Sequence, residues 1–218
     1  MSVYASSETW QMRRSLSTAR GERTRVSGRK GWQKIARRIR VPMGFVFATL
    51  FLWLAHPNWR TMAASLALVL PGLWLRGYAS GYVRKDAQLT TTGPYAHTRN
   101  PLYLGSMLIA FGFAAAAASW MILVLLAVLF AAIYIPTILS EEAYLREHFA
   151  GFDAYARAVP RLLPRGAGAD IELITGGGVP AEKGFSPELY LRHREYNSAM
   201  GAVVLYLALV LKLLFFSR

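Results

Sequence analysis

Cysteine is absent from the 218-residue chain, which excludes disulfides, iron–sulfur sites and thiolate catalysis. Charge is scarce as well: Asp, Glu, Lys and Arg make up 17% of the residues, against about 25% in a soluble domain. Acidic side chains are the scarcer kind, 12 against 25 basic ones. The four histidines, His56, His97, His148 and His193, are scattered and show no HExxH or similar spacing, so no metal site is expected. The glycine run TGGGVP at 175–180 lacks the lysine and following helix of a phosphate loop and reads as a linker.

What fills the chain instead is apolar: 54% hydrophobic residues and a mean hydropathy of +0.28. A bilayer core of ~30 Å needs roughly 20 apolar residues per helix. The runs in this sequence predict an all-α integral membrane protein with about five transmembrane helices, near 39–55, 59–76, 102–118, 120–139 and 199–216. They form a single domain over 39–218, preceded by a basic segment, 1–38, that is disordered or lies along the membrane surface. Residues 1–40 hold 11 basic side chains and two acids, Glu8 and Glu22. This flank fits the positive-inside rule and attraction to anionic lipid headgroups, with the N-terminus cytosolic. Aromatic and basic residues are not interleaved as in a nucleic-acid surface, and no nucleic-acid partner is expected.

Two polar clusters stand out. The stretch TTTGPYAHTRNPLYLG, 90–105, joins a polar loop to an apolar run, with Asn100 as the expected helix N-cap and Pro101 at the first helical position. Glu141 and Glu142 follow the next apolar run directly. If 102–139 is a membrane-spanning hairpin, both clusters return to one membrane face. A helix N-terminus favours an anion, and Arg99 adds a permanent charge beside it. Tyr95 and Tyr103 offer aromatic faces for a cation or a purine; a capped helix with interfacial tyrosines is an equally good account. Carboxylates at this depth tend to be functional, although an i, i+4 pairing of Glu142 with Arg146 explains one of the two. Lys212, inside the last span, reads as a snorkelling lysine.

The order GPYAHTRNPLYLG, hairpin, EEAYL, YARAVPRLLP resembles the integral-membrane S-adenosylmethionine methyltransferases, the superfamily of isoprenylcysteine carboxyl methyltransferases and phospholipid methyltransferases. The resemblance covers roughly 88–164 and implies S-adenosylmethionine as cofactor. It implies a cofactor site of Gln88, Leu89, Thr90, Tyr95, Asn100, Pro101, Leu102, Tyr103, Gly105, Glu141 and Glu142, with Gly105 permitting close approach. Arg99, Arg161 and Glu142 are the implied catalytic residues, Glu142 as base for an amine acceptor and the arginines for an acidic one. The implied activity is isoprenylcysteine carboxyl methyltransferase-like, on a membrane lipid or lipophilic small molecule at the cytosolic face of a bacterial inner membrane.

Two positions depart from the carboxyl-methylating pattern, which has Arg-His-Pro where this chain has Arg99-Asn100-Pro101. It also has an arginine one turn before the first glutamate, where this chain has Thr137. The Asn-Pro form resembles the phospholipid branch and makes phospholipid-amine N-methylation the alternative. A membrane reductase using NADPH and a non-enzymatic lipid-binding subunit are the readings from other classes.

Overall fold

The computed structural model describes residues 46–83, 89–166 and 184–216. The chain divides into two units, Met1–Leu50 and Phe51–Arg218. Of the first, only 46–50 are described, within a helical stretch α1 over 46–54. The basic segment 1–38 and the start of the first expected span lie outside the described residues.

Every regular element among the second unit's described residues is helical, beginning with α2 (Trp59–Ser80), a 3-10 turn (Gly93–Ala96), α3 (Pro101–Ala116) and α4 (Trp120–His148). Then follow α5 (Phe152–Ala158), α6 (Pro187–His193) and α7 (Tyr196–Phe216). By length and composition α2, α4 and α7 can cross a membrane, while α3 is a shorter apolar helix.

Local chemistry sets most boundaries. Asn58 Oδ1 accepts from Thr61 N at 2.9 Å and Thr61 Oγ1 accepts from Asn58 N, a reciprocal cap that starts α2. That helix carries Pro71 and Gly77 within it and runs to Ser80, past the expected end near 76, with Gly81 at its C-cap. α4 likewise continues beyond the apolar run through Glu141 and Glu142 to His148, and carries Pro136. Ser186 accepts from Leu189 N and starts α6. The α3–α4 turn passes through Ala118 in the left-handed region, φ 50°.

Glycines bring α2 and α3 together. A Cβ at Gly72 would lie 2.9 Å from Gly105 O, and one at Gly105 would lie 2.9 Å from Gly72 O and 2.7 Å from Arg76 Cγ. Small residues permit such close helix contact in membranes. The apolar core around this seam joins Phe51 and Ala55, Met62 and Val69 of α2, Phe113 and Ala114 of α3, and Ala202 and Leu209 of α7. Within it Ser65 and Tyr206 share a 2.6 Å hydrogen bond.

The helices alternate in direction. Turns 55–58 and 117–119 meet at one end, where His56 N donates to Ala117 O at 2.7 Å. Lys212 belongs to this end, and its amine does not reach outward as a snorkelling lysine would. It donates to the terminal carbonyls of α1, Leu52 O and, at 3.1 Å, Trp53 O. The expected clusters 90–105 and 141–142 lie together at the other end, here called the polar rim.

Candidate functional site

The rim has a small core of its own. Leu89, Phe152, Tyr155 and Val159 are buried together, with Leu145 and Phe149 packed against them. Tyr155 donates to Tyr95 O at 2.8 Å. Tyr95 itself is buried, so its ring belongs to the packing and offers no open face. Leu89 and Thr90 are buried too. Gln88 lies outside the described residues.

Two segments then pair side by side, in opposite directions. Arg99 N donates to Pro160 O at 2.9 Å and Arg165 N to His97 O at 3.0 Å. Thr98 Oγ1 donates to Leu162 O and Asn100 Nδ2 to Arg161 O, each at 2.9 Å. Asn100 therefore occupies the N-cap position of α3 without capping it: its amide is spent on the 160–165 segment. Pro101 is the first residue of α3, as expected.

This pairing brings two arginines onto one carboxylate. Arg161 Nε and Nη2 donate to the two oxygens of Glu142 at 3.0 and 2.9 Å, a bidentate pair. Arg99 Nη1 lies 3.5 Å from Glu142 Oε1. Glu142 is 5% exposed. The Arg99 side chain is 11% exposed and that of Arg161 51%. Burial lowers the Arg99 pKa, partly offset by Glu142. The hydrogen bonds that Arg161 donates to Glu142 raise the Arg161 pKa. The i, i+4 pairing with Arg146 does not form: Arg146 reaches Asp153 instead, at 2.8 Å, and lies over the Phe152 ring.

Glu141 faces outward one position earlier. Its Oε1 accepts from Tyr103 Oη at 2.8 Å, and the Tyr103 ring stands edge-on to Tyr134, 5.2 Å away. Gly105 does not border this site. Its open side is filled by α2, through Gly72 and Arg76. Leu102 sits in the same first turn, its carbonyl accepting from Ser106 Oγ at 2.8 Å.

The structure thus gathers Arg99, Asn100, Pro101, Tyr103, Glu141, Glu142 and Arg161 at one rim. It turns Gly105, Leu89 and Tyr95 into packing. The sequence reading missed Thr98, which has the form of an ordinary loop residue, and Arg76, which reads as one more interfacial arginine. Among the described residues no group of three His, Cys, Asp or Glu side chains is placed to hold a metal.

The chain is 36% identical over 121 residues to the nickel-cobalt-cadmium resistance protein NccN of Alcaligenes xylosoxydans xylosoxydans, covering 50% of this chain and 56% of that one. It is 34% identical over 137 residues to the cobalt-zinc-cadmium resistance protein CzcN of Cupriavidus metallidurans, covering 58% and 62%. The match thus spans less than two thirds of the length of either curated relative. No solved structure matches. The phospholipid methyltransferase family model matches residues 61–151, the stretch that holds α2, α3, α4 and both glutamates. Over that stretch the chain is similar to the phospholipid methyltransferase family, within the superfamily of membrane methyltransferases.

Proposed function

We propose that the chain is an S-adenosylmethionine-dependent methyltransferase acting on a lipophilic acceptor at the polar rim, which faces the cytosol. The observation that carries this reading is the convergence of the Arg99–Tyr103 and Glu141–Glu142 clusters on one rim, joined by Arg161. The residues present fit the cofactor. Arg99 Nε is buried without a partner among the described residues and suits the carboxylate of S-adenosylmethionine. Glu141 is exposed, with one oxygen held by Tyr103 and the other open to an ammonium or ribose hydroxyl. The cofactor supplies a methyl group on a sulfonium, already activated for displacement.

What remains for the protein is alignment and exclusion of water, which contribute on the order of 7–11 kcal/mol in well-oriented reactions. Glu142 has a holding role in this scheme. Both its oxygens already accept from arginines, so neither is directed at an acceptor's proton. The Arg99–Glu142–Arg161 group keeps one positive charge in excess, and an anionic acceptor complements it. A carboxylate, as on a prenylcysteine, arrives ionised and needs no base. The match to the phospholipid methyltransferase family favours a second reading, methylation of a phospholipid amine. In that case the open oxygen of Glu141 is the proton acceptor and does not hold the cofactor.

The names of the two relatives tie those proteins to metal resistance. We infer that this chain serves such a setting by methylating a membrane component.

The test supplies labelled S-adenosylmethionine to the chain in lipid nanodiscs with a prenylcysteine carboxylate, phosphatidylethanolamine or an apolar thiol. Label is expected in the carboxylate product, and Glu141→Ala is expected to abolish it while the protein still folds. Label in phosphatidylethanolamine instead selects the second reading. Absence of label from every apolar product overturns both.

A further inference from the structure

Arg76, on α2 one turn before its end, is the most heavily bonded side chain outside the site among the described residues. Its Nε and Nη2 form a bidentate pair with Glu195 at 2.9–3.0 Å. Its Nη1 donates to Ser106 Oγ and, at 3.5 Å, to Leu102 O. Glu195 also accepts from Ser198 Oγ at 3.2 Å. The two side chains are 23% and 13% exposed, so both charges are largely withdrawn from water. Desolvation makes such a pair costly, and a helix seam already closed by Gly72 and Gly105 does not require one for packing. What the pair adds is direction: every partner of Arg76 lies either in the first two turns of α3 or immediately before α7.

That first turn is also held from its other sides. Tyr103 is bonded to Glu141, and Asn100, just before the helix, to the 160–165 segment. Arg76 supplies the remaining hold, on Leu102 and Ser106. The α6 segment fixes the geometry of Glu195: Ser186 N donates to Gly81 O at 3.0 Å, His193 Nδ1 to Ser80 O at 3.0 Å, and the Phe185 ring covers Gly81.

We propose that Arg76 and Glu195 are positioning residues that fix the first turn of α3, so that the C-terminal helix takes part in assembling the rim site. The consequence for cofactor affinity rests on the function proposed above; the consequence for the turn itself does not. Neither residue touches the reacting groups. Their effect passes through Leu102 and Ser106 to Tyr103 and Asn100.

Two variants separate this from a stabilising contact. Glu195→Gln keeps shape and loses the charge; Arg76→Met keeps the stem and loses every donor. Amide hydrogen exchange of each, in nanodiscs, is expected to rise about tenfold at 103–107 and to stay unchanged at 111–116. S-adenosylmethionine affinity is expected to fall about tenfold in both, with Arg76→Lys intermediate. A merely stabilising pair would lower the melting temperature and leave both readouts at the wild-type value, and that result overturns the proposal. Should the wild type bind no S-adenosylmethionine, the proposed function fails, while exchange at 103–107 still decides the positioning role. If Arg76→Met does not fold, Glu195→Gln decides alone.

Discussion

Two adjacent glutamates at the end of α4 carry unlike work. Glu142 is buried between two guanidinium groups, and neutralising it leaves Arg99 and Arg161 facing each other without a counter-charge. Removing one partner of a buried pair costs about 3–5 kcal/mol, so Glu142→Gln should lower the melting temperature strongly by circular dichroism. Arg161 is half exposed, and Arg161→Met should cost only about 1 kcal/mol once solvent screening is allowed for. Equal losses in the two variants would refute this asymmetry. Glu141→Gln, on the surface, should change stability by less than about 0.5 kcal/mol while the methyl transfer proposed above collapses. Both glutamates and both arginines were legible in the sequence as a set. The partnership was not: Arg146 stands at the favourable i, i+4 spacing, whereas the true partner is 19 residues away. Only the turn at Gly151 and the return of the chain beyond Pro160 bring it there, and no periodicity reports that.

Among the elements, the α2–α3 seam is the tightest. Ala at Gly72 or Gly105 must displace a backbone carbonyl at 2.9 Å, and overpacking of this kind costs about 1–3 kcal/mol. The two substitutions act on one contact, so the double variant should lose less than the sum. Gly201 in α7 has nothing within 4 Å of its missing Cβ, and Gly201→Ala should stabilise by about 0.5–1 kcal/mol through helix propensity. Unfolding in mixed micelles measures all four. Helix positions were largely readable because their end signals are local: the span expected from 59 begins there behind the Asn58 cap, and Pro101 is the first residue of α3. The job of Gly105 was misread, since a glycine that admits a cofactor and one that admits a helix look alike in sequence. Asn100 is the same kind of case. A side chain able to cap will bond elsewhere if another carbonyl, such as Arg161 O, is closer to hand.

For the molecule as a whole, two cores do different work, one in the helix bundle and one beneath the rim. Phe152 is 1% exposed in the latter, and Phe152→Ala should cost about 3–5 kcal/mol locally. Limited proteolysis should then cut near 150–165 while the apolar spans stay protected. Uniform resistance would show that the two cores melt together. The hairpin α3–α4 leaves the rim at Arg99 and regains it at Glu142, and the 97–99 and 160–165 backbones bond to each other. Its excursion is therefore sewn shut at the base, with only the tight bend at Ala118 on the distant side left to cut. A gene split there should yield two polypeptides that find each other when co-produced and copurify through one affinity tag, because the rim and the bundle core join them and the bend does not.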